Sequence, residues 1–393
     1  MANVSSSNGL EKRPKLRFPG FDDPWTVFRA EELFKNITDK NHPDETVLTI
    51  IQGKGTLPRE QAGRNIHYDD ASLSNYKKVE QGDYIIHLRS FEGGLEMANE
   101  DGIVSPAYTI LRCKKPHSSL FYEAYFHTDE FINHVLSKSV EGIRDGRQIS
   151  YEAFKWLGLP YCNASEQEKI SQLFYTLNRR IEKQQQMVDA LKKYKRGVIS
   201  AILSHQIVFS DADGKPYPEW TSCTLQAAVD FLDGQRKPLE SADRARRQGA
   251  YPYYGASGII DYIDDYIFDE PLLLLGEDGA NIINRSTPLC FIATGKYWVN
   301  NHAHVMRPKE GHNIKFLCEL LESLDYTRYN TGTAQPKLNQ EKCRGIELVL
   351  PIYEEQCRIA AFLSSLDQKL EREQDALNCL LLLKRGMMQQ LFI

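Results

Sequence analysis

The sequence predicts an α+β protein in which two globular domains alternate with two long helices that pair antiparallel as a coiled coil. Its 393 residues are enough for two or three domains, and 41% hydrophobic residues can build ordinary cores. Two patterns decide the arrangement: an internal repeat at about half the chain length, and a heptad pattern of apolar residues within each repeat. They predict a pseudo-two-fold order of globule, helix, globule, helix.

The repeat is visible when the sequence is shifted by 189 residues. Residues 166–197 then align with residues 355–386 without a gap, and ten positions are identical. A weaker match comes earlier in each half, where Trp25-Thr26 and Trp220-Thr221 each follow a stretch with proline and acidic residues. Two unrelated helices would not share these matches, so we interpret the halves as copies of one plan.

Each repeat contains a heptad seam, in which apolar residues recur at alternating steps of four and three. The seam positions are Ile170, Phe174, Leu177, Ile181, Gln184, Val188, Leu191, Lys195, Val198 and Ile202 in the first copy, and Ile359, Leu363, Leu366, Leu370, Glu373, Leu377, Leu380, Lys384, Met387 and Leu391 in the second. Ser165 and Glu168 predict a capping box at the start of the first helix. A helix of about 38 residues would be about 57 Å long, which is typical of a rigid spacer.

These patterns divide the chain into five predicted segments. They are a flexible N-terminal tail at 1–19, a first globular domain at 20–160, a central long helix at 161–209, a second globular domain at 210–350 and a distal long helix at 351–393. Within the globular segments, short apolar runs such as Asp83–Leu88, Pro106–Leu111, Leu272–Leu275 and Leu289–Ala293 predict strands, and Leu120–Leu136 predicts a short helix.

The polar residues within the seams predict the register of the helix pair. Facing residues of an antiparallel pair have numbers with a constant sum, and a sum of 568 sets Lys195 against Glu373 and Gln184 against Lys384. Every polar seam residue then faces a polar partner, whereas a slip of one heptad would place a charge opposite a leucine or valine. We therefore expect residues 175–204 to overlap residues 364–393.

Composition and charge limit the class of protein. The longest apolar runs are far shorter than the roughly 20 residues of a membrane span, and the polar N-terminus predicts no secretory signal, so we expect a cytoplasmic protein without membrane contact. Eight cysteines are never closer than 14 residues, which argues against a zinc knuckle or a redox pair. The net charge of −5 argues against a DNA-binding surface over the whole protein but allows a local basic face.

Motif searches predict a chain that is not an enzyme and that binds no cofactor or metal itself. No phosphate-binding loop or dinucleotide fingerprint is present, and Asp23-Pro24-Trp25 is one proline short of an amino-methyltransferase motif. His302 and His304 alternate along a predicted strand, but no third ligand is identifiable. Polar contacts or core filling are therefore the favoured roles for these two histidines.

One basic cluster makes DNA the favoured ligand. Its cations are Arg236, Lys237, Arg244, Arg246 and Arg247, and it leads into Tyr253, Tyr254 and Ser257. Cations for phosphates would then stand beside aromatic and small polar groups that can reach base edges. Further candidates are the acceptors Glu277 and Asp278 together with Asn301 and His302, and, in the first globular domain, the cations Lys77, Lys78, Arg89, Arg144 and Arg147.

Several sequence blocks resemble the DNA-specificity (S) subunit of type I restriction-modification systems. The segment Pro14–Phe21 resembles the N-terminal leader of that family, and Gly102–Tyr108 resembles a block of its first recognition domains. Tyr253–Gly258 and Leu275–Asn281 resemble blocks of its second recognition domains, and Glu355-Gln356 with Lys384–Gly386 resembles its distal helical region. The resemblance covers nearly all of the chain after the tail.

The resemblance implies two target-recognition domains, each reading one half of a split sequence in double-stranded DNA. The long helices would set the distance between the halves and dock two methylation subunits, which bring S-adenosylmethionine and the catalytic motif. Two restriction subunits with ATP and Mg can join that complex. The alternative is a coiled-coil scaffold with two protein-binding domains, which would share the helices but would need no basic loops.

Overall fold

The fold is taken from a computed structural model, which describes residues 14–62, 70–142, 147–332 and 335–392. The chain forms two compact units: unit 1 contains residues up to Gln185 together with Asp375 onwards, and unit 2 contains Gln186–Gln374. Each unit therefore combines one globular segment with part of both long helices. This grouping differs from the predicted division into five consecutive segments.

The described residues of unit 1 form twelve short strands, four short α-helices and parts of the two long helices. The strands are β1 (Thr26–Arg29), β2 (Phe34–Ile37), β3 (Leu48–Ile51), β4 (Gly55–Pro58), β5 (Lys77–Val79), β6 (Tyr84–Ile86), β7 (Glu96–Met97), β8 (Gly102–Val104), β9 (Thr109–Cys113), β10 (Val140–Glu141), β11 (Gln148–Ile149) and β12 (Gly158–Tyr161). The helices are α1 (Ala30–Leu33), α2 (Ser90–Gly93), α3 (Ser119–Phe126), α4 (Tyr151–Phe154) and the long α5 (Ala164–Leu203).

In unit 2 the described residues form ten strands and a similar set of helices. The strands are β13 (Thr221–Thr224), β14 (Val229–Phe231), β15 (Gln248–Gly255), β16 (Gly258–Ile263), β17 (Phe268–Asp269), β18 (Leu272–Gly276), β19 (Cys290–Ala293), β20 (Lys296–Val299), β21 (Ala303–Pro308) and β22 (Glu347–Leu350). The helices are α6 (Leu225–Ala228), α7 (Ser241–Arg246), α8 (Asn281–Asn284), α9 (Ile314–Ser323), α10 (Gln340–Arg344) and the long α11 (Tyr353–Phe392).

Both units repeat one sheet topology. A four-stranded antiparallel sheet has the order β2-β9-β6-β7 in unit 1 and β14-β21-β18-β19 in unit 2. A separate strand pair, β1 with β12 and β13 with β22, leads into the long helix in each case. The predicted α+β class with two repeated domains and two long helices is confirmed.

The residues shared by the repeat tie each long helix to the globular part of its unit. In unit 1 the Gln167 side chain accepts from the Ser118 N–H (3.1 Å) and donates to the Cys162 carbonyl (2.8 Å). In unit 2 the equivalent Gln356 accepts from the Asn313 N–H and donates to the Pro351 carbonyl, at 2.9 Å each. An unpaired buried amide is costly, so these bonds explain why both halves keep a buried glutamine here.

Helices α5 and α11 have 40 residues each, about 60 Å at 1.5 Å per residue. All twenty predicted seam residues are buried or half-buried, so the heptad pattern identified the inner faces correctly. The start of α5 differs from the prediction, because Asn163 caps the helix by accepting from the Glu166 N–H at 2.9 Å. Among the described residues no helix is long and apolar enough to cross a membrane.

The two long helices run antiparallel, but the predicted register is wrong. In unit 2 the Lys195 ammonium contacts Asp367 (2.6 Å) and Glu319 (2.7 Å), so its partner on α11 lies six residues before the predicted Glu373. Six residues correspond to about 9 Å along the helix. The prediction considered two helices only, whereas α9 packs beside them and supplies Glu319.

Lys384, the repeat equivalent of Lys195, also has a neighbouring acid outside the seam. It had been paired with Gln184 in the predicted register. In unit 1 its ammonium is close enough to the Glu123 carboxylate of α3 for the two charges to influence each other, although burial lowers the pKa of Lys384. In each unit the charged seam residue is therefore attracted by an acid on a helix of the globular part.

Candidate nucleic-acid interface

The strongest candidate interface is formed by α7 and the β15–β16 hairpin of unit 2. Residues 248–255 and 258–263 pair antiparallel and join through a tight turn at Ala256 and Ser257. Gly258 follows that turn at a φ of 129°, which favours glycine. The structure thus places Ser257 on an exposed turn, at the end of the hairpin away from α7.

Three of the five cations in this cluster are engaged within the protein. Arg236, whose side chain is 14% exposed, donates to Glu277 (2.8 Å) and to the Ala303 carbonyl (2.7 Å). Arg244 donates to the Asp261 carboxylate at 3.0 Å and to the Leu239 carbonyl at 2.7 Å. Arg236 and Arg244 are thus engaged by internal contacts, and their contact with DNA stays a prediction.

Arg247 shares its guanidinium between the protein and solvent. It contacts Asp264 at 2.9 Å and lies 5.1 Å from the centre of the Trp298 ring, with 31% of the side chain exposed. Arg246 is 79% exposed, with a loose contact of 3.9 Å to Asp243, and Lys237 is also exposed. Lys237 and Arg246 are therefore the cations best placed to meet a phosphate.

The two predicted aromatic readers belong to the core. Tyr253 is 1% exposed and its hydroxyl accepts from the Leu239 N–H at 2.9 Å. Tyr254 is half-buried, with its ring 5.6 Å from the Tyr297 ring centre. Burial removes Tyr253 from any outer surface, so its assignment as a base-reading residue is corrected.

Sequence reasoning missed an apolar face on the same hairpin. On β16 the side chains of Ile259, Ile260 and Tyr262 are 45%, 54% and 49% exposed, while only Ile263 enters the core. Exposed apolar residues in a row mark an interaction surface more often than isolated ones do. The available signal was the run Ile259-Ile260 directly after the turn glycine.

The acidic and histidine candidates form two contacts near the end of β18. Glu277 bonds to Arg236, and Asp278 contacts the half-exposed His302 at 2.7 Å. Asn301 is exposed, and its carbonyl accepts from Arg236 at 3.4 Å. Asp278, Asn301 and His302 reach the surface, whereas Glu277 is largely engaged with cations.

His304 lies in a buried polar network that the sequence did not reveal. Its Nδ1 is 2.7 Å from Asp233, and its Nε2 is 2.7 Å from the Leu338 carbonyl. Burial alone would lower the pKa of His304, but the hydrogen bonds to Asp233 and Cys343 raise it to about 10. In the described parts of the chain, no three His, Cys, Asp or Glu side chains converge as metal ligands.

Two of the four described candidate cations of unit 1 are held by contacts within the protein. Lys77 donates to the Tyr108 carbonyl (2.5 Å), and Lys78 bonds to Glu45 (2.8 Å). Arg89 is 74% exposed with a loose contact to Glu92, and Arg147 lies 4.2 Å from the centre of the Phe91 ring. Arg144 lies outside the described residues. Arg89 and Arg147 are thus exposed, whereas Lys77 and Lys78 are half-buried.

The structure defines a class of protein with a repeated α+β fold and two long helices, and comparisons with known proteins bear on this class. Residues 219–380 match the family described as the type I restriction modification DNA specificity domain. The match concerns this segment, which is about two fifths of the chain.

The curated relatives cover part of the chain. A Haemophilus influenzae protein named as a type I restriction enzyme specificity subunit is 34% identical over 149 residues, which is 38% of this chain and 37% of that protein. The Escherichia coli EcoprrI specificity subunit is 30% identical over 168 residues, 39% of this chain and 41% of the relative. The chain thus spans about two fifths of the length of the curated relatives it matches.

Solved structures show the same fold over nearly the whole chain. The type I restriction-modification S subunit of M. genitalium superposes with a TM-score of 0.60, covering 97% of this chain and 99% of that one at 15% identity. A chain from a structure of type I restriction-modification complex assembly gives a TM-score of 0.53 at 14% identity, covering 96% and 98%. At these identities the likeness concerns the fold.

Proposed function

We propose that the chain is the DNA sequence-specificity subunit of a type I restriction-modification complex and that it reads a bipartite target. The observation that carries this proposal is the repetition of one sheet topology in two units, since two similar readers suit the two halves of a split site. The family of the 219–380 segment supports DNA recognition as the activity. The chain itself would be non-catalytic.

In unit 2, DNA would approach the β15–β16 hairpin and α7. Lys237 and Arg246 would contact phosphates. An ammonium or guanidinium group that neutralises a phosphate releases a counterion from the DNA, and this release favours binding. The exposed Ile259, Ile260 and Tyr262 would contact apolar base edges or enter a groove between base steps. The cations would thus position the protein on the DNA backbone, and the apolar face of β16 would contribute to discrimination between base sequences.

The partners would supply the chemistry. Two methylation subunits carrying S-adenosylmethionine would dock on the surfaces near the long helices, and two restriction subunits using ATP and Mg could join them. The relatives named above are specificity subunits, which supports a partner-dependent role for this chain.

A domain exchange tests the bipartite reading. Residues 20–160 are replaced by the same region of a relative, and the methylated sequence is read by methylome sequencing of a host that carries the complex. We expect one half of the target to change and the other to persist. A change in both halves would contradict independent reading, and DNA binding by neither the chain nor its complex would favour the scaffold alternative.

A second test addresses the cation on α7. Arg246→Ala should weaken DNA binding and reduce the slope of log affinity against log salt by about 0.9, the value for one phosphate contact on B-DNA. Arg246→Lys, which keeps the charge, is the control and should retain the slope. If the alanine variant keeps both the affinity and the slope of the original chain, Arg246 does not contact DNA.

A further inference from the structure

Each half of the chain buries a glutamate near the start of its long helix. Glu166 in unit 1 is 1% exposed and Glu355 in unit 2 is 3% exposed, and the two are equivalent in the repeat. In unit 1 the Trp25 indole donates to Glu166 at 3.0 Å, and in unit 2 the equivalent Trp220 lines the same cavity as Glu355. The halves therefore share a buried acid that lies near an equivalent tryptophan.

In unit 1 an arginine neutralises this acid. Arg17 donates to both oxygens of Glu166, through Nε at 2.9 Å and through Nη2 at 2.8 Å, and its Nη1 donates to the Asp23 carbonyl at 2.7 Å. A two-point contact of this kind suits a guanidinium better than an ammonium. The Glu166 carboxylate is thus fully satisfied.

Unit 2 has no arginine at the equivalent place. The Leu16 N–H donates to the Gln390 carbonyl in unit 1, and the Ile207 N–H donates to the Ala201 carbonyl in unit 2, where Ala201 is the repeat equivalent of Gln390. The next residue but one is a phenylalanine in both segments, and each packs on the core of its unit. Val208, 67% exposed, therefore stands where unit 1 has its arginine.

The space left by the missing arginine is an open cavity of about 420 Å³. It is lined by Glu355, by the exposed apolar side chains of Val208 and Val349, and by Glu219. Among the described residues, Glu355 Oε2 has no hydrogen-bond partner although it is shielded from solvent. Burial accordingly raises the pKa of Glu355.

The charged neighbours leave this carboxylate only partly compensated. His205 is the nearest basic side chain, and its ring stacks edge-on against Trp220 with centroids 4.7 Å apart. Arg358, one turn along α11, donates to the Ser210 carbonyl instead. Two acids and an apolar rim make the cavity complementary to a long cationic side chain.

We propose that the Glu355 cavity receives an arginine side chain of the methylation subunit, so that the partner supplies in unit 2 what Arg17 supplies in unit 1. This rests on the proposed function for the identity of the partner. The segment that carries Arg17 in a second copy of this chain is a poor candidate, because Ile207–Phe209 already fills the path its backbone would need. Only a side chain entering from outside fits.

The free chain tests the asymmetry between the two glutamates. Glu166→Gln should lower the thermal midpoint, because Arg17 loses its charged partner, whereas Glu355→Gln should leave the midpoint unchanged or raise it. Val208→Arg should raise the thermal midpoint by several degrees in the otherwise unchanged chain. The same substitution should not raise it in a chain that also carries Glu355→Gln. Val208→Leu is the size control. A fall in midpoint for Glu355→Gln equal to that for Glu166→Gln would overturn the claim of an unpaired acid.

Assembly with the purified methylation subunit tests the occupant. Glu355→Gln should weaken its binding to the full chain at least about tenfold, as expected for loss of a buried charge pair, and Val208→Arg should weaken it by blocking the cavity. Normal affinity for both variants would overturn the proposal and leave the proposed function intact. Failure of the original chain to bind the methylation subunit would instead refute the proposed function, and with it the identity of this partner.

Discussion

Replacing Lys195 by methionine would test how the helix pair is held in unit 2. The ammonium lies between Glu319 and Asp367, and Lys315 contacts the same two acids, at 2.6 Å and 2.5 Å. Burial alone would raise the pKa of Asp367, but the hydrogen bonds from Lys195 and Lys315 lower it. Methionine keeps the length of the stem and removes only the charge.

The exposure of these groups sets the size of the effect. Breaking a fully buried pair costs about 3–5 kcal/mol. Lys195 is 19% exposed and Glu319 is 9% exposed, and Lys315 remains to compensate the acids. We therefore expect Lys195→Met to lower the free energy of unfolding by about 1–3 kcal/mol, measured by urea titration and circular dichroism.

A double-mutant cycle decides the register. Lys195→Met combined with Asp367→Asn should show a coupling of about 1 kcal/mol or more, because the two groups are in contact. Lys195→Met combined with Glu373→Gln should be additive within about 0.3–0.5 kcal/mol. Coupling to Glu373 with none to Asp367 would refute the structural register and restore the one predicted from charge patterning.

Three further predictions concern other parts of the chain. Leu382→Glu should leave the free energy of unfolding unchanged but reduce assembly with a methylation subunit in a pull-down titration, because Leu382 is 63% exposed on α11. Arg244→Ala should lower the thermal midpoint of the chain by several degrees, whereas Arg246→Ala should not, because only Arg244 is tied into the hairpin. The pKa of His304 is higher in the folded chain than in the unfolded chain, so its contribution to stability should be complete below about pH 6.5 and should disappear towards about pH 10. Urea titrations should therefore show that the free energy of unfolding declines with pH across this range, and that it declines less in His304→Asn.

The heptad seam was predictable because its signal is local. Every seam position from Ile170 to Ile202 lies within one continuous helix, so the spacing alone fixes which side chains share a face. The acids that pair with the seam cations are not local: Glu319 is 124 residues from Lys195. The predicted register used the two long helices alone and did not include α9, so Lys195 was paired with the wrong acid.

The candidate DNA surface was predictable as a region but not residue by residue. Composition located the cations next to the hairpin, but it could not separate Arg236, which bonds to Glu277 across 41 residues, from the exposed Arg246. Tyr253 failed for a related reason, since which face of β15 enters the core depends on strand pairing with distant residues such as Trp298. The apolar face of β16 was missed because Ile259-Ile260 has no alternation to mark one residue as external.

The two seam lysines have a consequence for domain exchange. In both units an acid on a globular helix attracts the lysine in the helix seam: Glu123 acts on Lys384 through its charge, and Glu319 contacts Lys195 at 2.7 Å. The lysines occupy equivalent repeat positions, whereas the acids belong to the segments that an exchange would replace. A donor domain without an acid at this position would leave Lys384 half-buried without that compensation, at a cost in stability. An exchanged chain that folds poorly should therefore be rescued by restoring the acid, which would separate a failure of docking from a failure of DNA reading.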